Sequence, residues 1–146
     1  MTDISMHRAL HDYPSRTSAD IRYSDLDRQG HVNNAVFATF SEVGRVAFMY
    51  DPERPLAPEG RSFVIARLLI DFRAELFWPG RVEIGTGVLK VGRSSFTLAQ
   101  GLFGQGRLAA TTEATIVMVD KETRRSVPLP PDTVGILQGL MLKNEA

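Results

Sequence analysis

The sequence predicts an α+β domain in which one amphipathic helix is wrapped by a long antiparallel sheet. Two observations predict it. Val36, Phe37, Phe40, Val43, Ala47 and Tyr50 recur at steps of three and four, the pattern of a helix with one apolar face. After residue 61 the period shortens to two, and about four long strand-like stretches follow, separated by short glycine-bearing turns. A chain of 146 residues is of a size for one domain with its own core.

Taken in order, residues 1–18 form a polar lead with Pro14, and residues 19–146 form the domain. "ADIRYS" (19–24) alternates Ile21 and Tyr23 with Asp20 and Arg22, a short strand signal. The polar loop "DLDRQGHV" follows, and Asn33 or Asn34 then offers a side-chain cap for the helix. "DPERPLAPEGR" (51–61), with three prolines, ends the helix in a loop. "SFVIARLLIDFRAEL" reads as strand, and "WPG" turns the chain, with Trp78 as the turn's anchor. "RVEIGTGVLKVG" places Val82, Ile84, Thr86, Val88 and Lys90 on one face, and two further strands complete an expected meander. "PPDTVGILQGLML" predicts a terminal helix capped by Asp132. One helix covers only one face of such a sheet, and its long edges need cover, so a sheet continued across a dimer is expected.

Composition narrows the function. Hydrophobic residues are 43% and charged residues 23%, the balance of a globular domain. Lys plus Arg and Asp plus Glu are 17 each, so no global field attracts nucleic acid or an anionic membrane. An anionic ligand must be held by local charge. The absence of cysteine excludes disulfides and thiolate chemistry and fits a reducing cytoplasm. The N-terminal stretch is charged throughout, without the apolar core of a signal peptide, and no apolar run is long enough to span a bilayer. A soluble, cytoplasmic protein is the expectation.

The chemistry-bearing residues crowd into "RYSDLDRQGHVNNAVFATFSEVGR" (22–45). Asp25, Gly30, Asn33 and Asn34 suit turn and cap formation. A cap needs only one or two such groups, so Asp27 and His31 are left over, beside a glycine that lets backbone approach closely. The alternative reading is a reactive site. A helix N-terminus offers unpaired N–H groups to a developing oxyanion, and a nearby carboxylate can attack or activate water at the same carbon. Such a set suits acyl transfer. Asp27 and His31 are also metal-ligand types, but no third ligand is evident, and no metal is expected.

That stretch resembles the hotdog-fold thioesterases, specifically the 4-hydroxybenzoyl-CoA thioesterase-like branch. It is also similar to the Asp-Leu-Asp … His-Val-Asn-Asn motif of plant acyl-carrier-protein thioesterases. The motif spans roughly residues 22–45, and the strand order extends the likeness over about 20–122. The resemblance implies that Asp27 is the catalytic carboxylate and that the Asn34 N–H polarises the thioester carbonyl. His31 matches a catalytic histidine of the plant enzymes, whereas the 4-hydroxybenzoyl enzymes carry an apolar residue there. Gln29 stands where the plant enzymes place an asparagine. Gly30 would permit close approach, Asn33 adjoins the site, and Glu42 matches a buried or site-edge carboxylate.

The expected activity is hydrolysis of an acyl-CoA or acyl-carrier-protein thioester, with coenzyme A only as part of the substrate and no separate cofactor. The rivals are a non-catalytic acyl-CoA binding module and a hotdog-fold hydratase or dehydratase. The family implies a homodimer or homotetramer with the pocket between subunits. Lys90, Arg93, Ser94 and Ser95 in "KVGRSS" are either a solvated hairpin or a contact for CoA phosphates and pantetheine. Arg61, Arg67 and Arg73 are unranked further candidates. Phe37, Phe40 and Met49 are expected in the core. Ser24, Ser41 and Ser126 lack a nucleophile-elbow context. His7 and His11 read as surface groups. No phosphate loop, dinucleotide fingerprint or nucleic-acid motif is present.

Overall fold

A computed structural model describes residues 8–143; His7 and the rest of residues 1–7 lie outside the described residues, as do 144–146. The elements are β1 (Ser15–Ile21), α1 (Asn34–Met49), β2 (Arg61–Phe72), β3 (Gly80–Val91), β4 (Ser95–Gly104), β5 (Arg107–Asp120) and α2 (Pro131–Gln138). The five strands form one antiparallel sheet in the order β1-β3-β4-β5-β2, with α1 packed against it. This is the hotdog arrangement. The strand expected at 19–24 lies earlier, at Ser15–Ile21, and Tyr23–Asp25 form a single 3-10 turn.

The meander holds for β3, β4 and β5, but β2 does not join it at β3. It crosses to the far edge and pairs with β5, Arg61 opposite Asp120 through Phe72 opposite Ala110. A two-residue period identifies a strand without naming its neighbour. Lys90 was expected on the same face as Val82, Ile84, Thr86 and Val88. A register shift between Val88 and Lys90 inserts Leu89 as an extra residue, and Lys90 is exposed.

Two apolar clusters hold α1 to the sheet. Phe37 and Phe40 pack with Ile21, Val32, Leu76, Val82, Ile84 and Leu102 near the start of the helix. Phe48 and Met49 pack with Leu56, Val88, Phe96, Leu98, Ile116 and Leu137 near its end. Between them the buried helix positions are Ser41, Gly44 and Arg45, whereas Val43, Val46 and Tyr50 are exposed. The apolar face was therefore misplaced by part of a turn. Gly44 explains it: a Cβ there would stand 2.5 Å from Ile84 Cγ2 and 2.6 Å from Gln100 Nε2, so the helix lies against the sheet where its side chain is missing.

The seam is polar. Gln100 on β4 donates Nε2 to the Ser41 carbonyl (2.9 Å) and to Thr86 Oγ1 (3.1 Å). Its Oε1 accepts from Ser41 Oγ (2.5 Å) and Thr112 Oγ1 (2.8 Å). All four capacities of this buried amide are used, which ties α1 to β3, β4 and β5 at once. α2 is present, but its cap position is Pro130, with no side-chain cap bond; Asp132, the expected cap, sits inside the first turn.

Candidate active site

After the 3-10 turn the chain makes a tight loop that delivers it to the mouth of α1. Asp27 N–H donates to the His31 carbonyl (2.9 Å), and Gly30 N–H returns to the Asp27 carbonyl (3.1 Å). Gly30 has φ +87°, the left-handed region that closes this turn, with no atom near the place of a Cβ. Leu26 and Val32 bridge across the neck of the loop. Val32 N–H donates to the Leu76 carbonyl (2.8 Å) and Asn33 N–H to that of Asp25 (2.9 Å), so the loop is fixed to the β2–β3 connection and to itself.

The two aspartates divide the work. Asp25 is buried, and its carboxylate accepts Arg22 N–H (2.7 Å), Nη2 (2.8 Å) and Nε (3.2 Å). Burial pushes this carboxyl up, but the Arg22 hydrogen bonds and charge together hold it below its ordinary value. Asp25 is thus a structural anchor. Asp27 is partly exposed: Oδ1 accepts the Gln29 N–H (2.8 Å), and Oδ2 lies 3.6 Å from His31 Nδ1. His31 Nε2 is 3.0 Å from Gln29 Oε1 and 3.9 Å from Glu75 Oε1. Gln29 therefore does touch His31, through its side-chain amide.

Asn33 is the cap: Oδ1 accepts the Ala35 N–H at 2.9 Å, and its carbonyl accepts Val36 N–H. Asn34 is the first helical residue, and its N–H has no partner among the described residues. A cavity of about 220 Å³ opens there, with His31, Asn34, Phe37, Phe72, Arg73 and Glu75 on its wall. Asp27 is not on that wall; it stands one side chain behind it, against His31. Among the described residues no group of three His, Asp or Glu side chains could hold a metal ion.

A second groove, of about 400 Å³, lies further along the seam between α1 and β2, where Ala38, Thr39, Glu42 and Arg45 face Ile65–Leu68. It contains Glu42 and Arg67, away from the polar turn. Arg45, which sequence reasoning passed over, is buried here and donates Nη1 to Ser41 Oγ (2.6 Å). Burial pushes its guanidinium below its ordinary value, and Glu42 partly opposes this. Arg45 four residues after Ser41, and Gln100 alternating with Leu98 and Leu102, are sequence signals that could have revealed the seam. Lys90, Arg93, Ser94 and Ser95 are not brought to the turn. They stand at the far end of β3 from Gly80, roughly 30 Å of strand away within one subunit. Arg61 pairs with Asp120 at 2.6 Å, also remote.

Comparison with known proteins bears on the family and the fold. A search of curated proteins found no match. A thioesterase from Thermus thermophilus, crystallised with coenzyme A and zinc, is 29% identical, with a TM-score of 0.77 over 91% of this chain and 98% of that one. A predicted thioesterase from Bacillus stearothermophilus is 24% identical, with a TM-score of 0.80 over 89% and 98%. The DHNA-CoA thioesterase of Staphylococcus aureus is 24% identical, with a TM-score of 0.76 over 86% and 91%. The sequence profile of the thioesterase-like superfamily matches residues 21–137, and the chain belongs to that superfamily.

Proposed function

We propose that this protein hydrolyses an acyl-CoA thioester to the free acid and the thiol. The observation that carries this reading is the unpaired Asn34 N–H at the mouth of α1, opening into a cavity that also receives His31. A thioester carbonyl placed there gains a donor and the positive end of the helix as its oxygen becomes anionic. Asp27 and His31 handle the proton. With Asp27 Oδ1 held by the Gln29 N–H and Oδ2 turned to His31, the geometry favours activation of water by the pair over attack by the carboxylate itself. Water then adds to the carbonyl carbon, the C–S bond breaks, and the thiolate leaves with a proton. Membership of the superfamily and the coenzyme A in the T. thermophilus structure support CoA as the carrier of the substrate.

The same reading includes a homodimer. Val43, Val46 and Tyr50 on α1 and Ile65, Leu69 and Phe72 on β2 are exposed, and β2 is an edge strand paired only with β5. A second copy pairing there would cover both and close the groove along α1. It would also be the route by which Lys90 and Arg93 of a neighbouring subunit approach a CoA phosphate.

The test is thiol release from a panel of acyl-CoAs by wild type and Asp27→Asn, with enoyl absorbance followed in parallel. The expected result is thiol release that falls about a thousandfold in the variant. Tight acyl-CoA binding without thiol release would replace the hydrolase with a binding module, and a change in enoyl absorbance would replace it with a hydratase. Single turnover in oxygen-18 water separates the routes, because label in the enzyme carboxylate would mean direct attack by Asp27.

A further inference from the structure

We infer that the acyl group this enzyme takes carries a carboxylate at its far end, bound by Arg45; this inference rests on the thioesterase reading above. Arg45 is 6% exposed, yet none of the ion pairs among the described residues includes it. Among those residues its one hydrogen bond is Nη1 to Ser41 Oγ. A guanidinium has five N–H donors, and a buried one left with most of them unused needs an acceptor from elsewhere.

Arg45 lines the groove between α1 and β2, together with Arg67 and Glu42. Arg67 is paired with Glu113 at 3.9 Å, which leaves Arg45 as the groove guanidinium with no carboxylate in hydrogen-bond or ion-pair contact among the described residues. An anion of carboxylate geometry supplies that contact, since a planar fork binds it through two N–H groups. β2 bulges between Ile65 and Arg67, where it forms the groove's outer wall.

Position on the helix sets the length. The cavity at Asn34 and the groove are both lined by α1 and β2, the first by Phe37 and Phe72 and the second by Ala38 and Leu68. The Arg45 side chain runs back to the level of Ser41, seven residues beyond Asn34, or roughly 10 Å along the axis. An extended chain covers that in about eight bonds. A dicarboxylic acyl group of about eight carbons spans that distance from the Asn34 N–H to the guanidinium.

The experiment compares kcat/KM for suberyl-CoA and octanoyl-CoA, which differ only in the distal carboxylate, in wild type and in Arg45→Met. Wild type should favour suberyl-CoA about a hundredfold, and the variant should lose or reverse that ratio. Wild type that prefers octanoyl-CoA would overturn the inference and leave the hydrolase standing, whether or not Arg45→Met folds. A variant that weakens the dimer while keeping the ratio would also overturn it, by assigning Arg45 to assembly. Failure to release thiol from either substrate would remove the hydrolase reading and this inference together.

Discussion

Asn33 Oδ1 accepts the Ala35 N–H at 2.9 Å, and this one bond decides which amide at the mouth of α1 stays open. The cap satisfies the second helical residue and leaves the first, Asn34, with a free N–H beside the cavity. In the proposed mechanism, stability and reactivity are thereby divided between adjacent asparagines. Asn33→Ala should cost about 1 kcal/mol of stability, and Asn33→Ser should restore most of it. Urea denaturation of the three proteins checks this; equal midpoints would mean that the cap contributes nothing.

Gly30 tests the turn. Its φ of +87° is unfavourable for any side chain, yet open space surrounds the site of a Cβ. Gly30→Ala should therefore cost about 1 kcal/mol through backbone strain alone. It should also lower turnover, because the strain is relieved by moving Asp27 relative to His31. Gly30→Asn, which tolerates the left-handed region better, should be milder in both respects. An alanine variant with wild-type stability and rate would show that the turn needs no glycine.

The Arg22–Asp25 pair predicts a pH response. The Asp25 carboxyl is held below its ordinary value in the folded state, so its contribution is present above the unfolded value near 4 and is lost as pH falls through the folded one. Asp120, held down by the Thr123 and Glu122 N–H groups and by Arg61, adds in the same sense. Stability should decline below about pH 5, and Asp25→Asn should flatten part of that decline. Parallel curves for the two proteins between neutral and acid pH would remove Asp25 from the account.

Gly44 and Gln100 show where sequence reading ran out. The helix, the strand stretches and the polar turn were all legible, because each rests on local period or on motif chemistry. The rotation of α1 was not. Val43 and Tyr50 were expected inside with Phe37 and Phe40, but a close approach at Gly44 and a polar seam from Ser41 to Gln100 turn them outward. Pairing of β2 with β5 and the outward turn of Lys90 at a bulge were equally non-local. In the site, Asp27, His31 and Asn34 are assembled by one short loop, whereas Gln100 reaches Ser41, and through it Arg45, only by tertiary packing. Gly44→Ala should cost about 1–3 kcal/mol by overpacking against Ile84 and Gln100, and a variant as stable as wild type would refute that account of the helix rotation.

The strongest test of the site removes the Asn34 N–H. Asn34 is the first residue of α1, the helical position where proline is best tolerated because its N–H is unpaired in any case. Asn33 already has φ −60° and ψ 138°, the extended conformation that a following proline requires. Asn34→Pro should therefore fold with near-normal stability while lacking the amide that meets the oxyanion. The Asn33 cap would be intact, since it is made to Ala35. Turnover of thioester should fall about a hundredfold or more, with KM little changed, because the lost bond forms mainly in the transition state. Asn34→Ala keeps the amide and should keep most of the rate. If the proline variant turned over at the wild-type rate, the mouth of α1 would not be where the oxyanion forms.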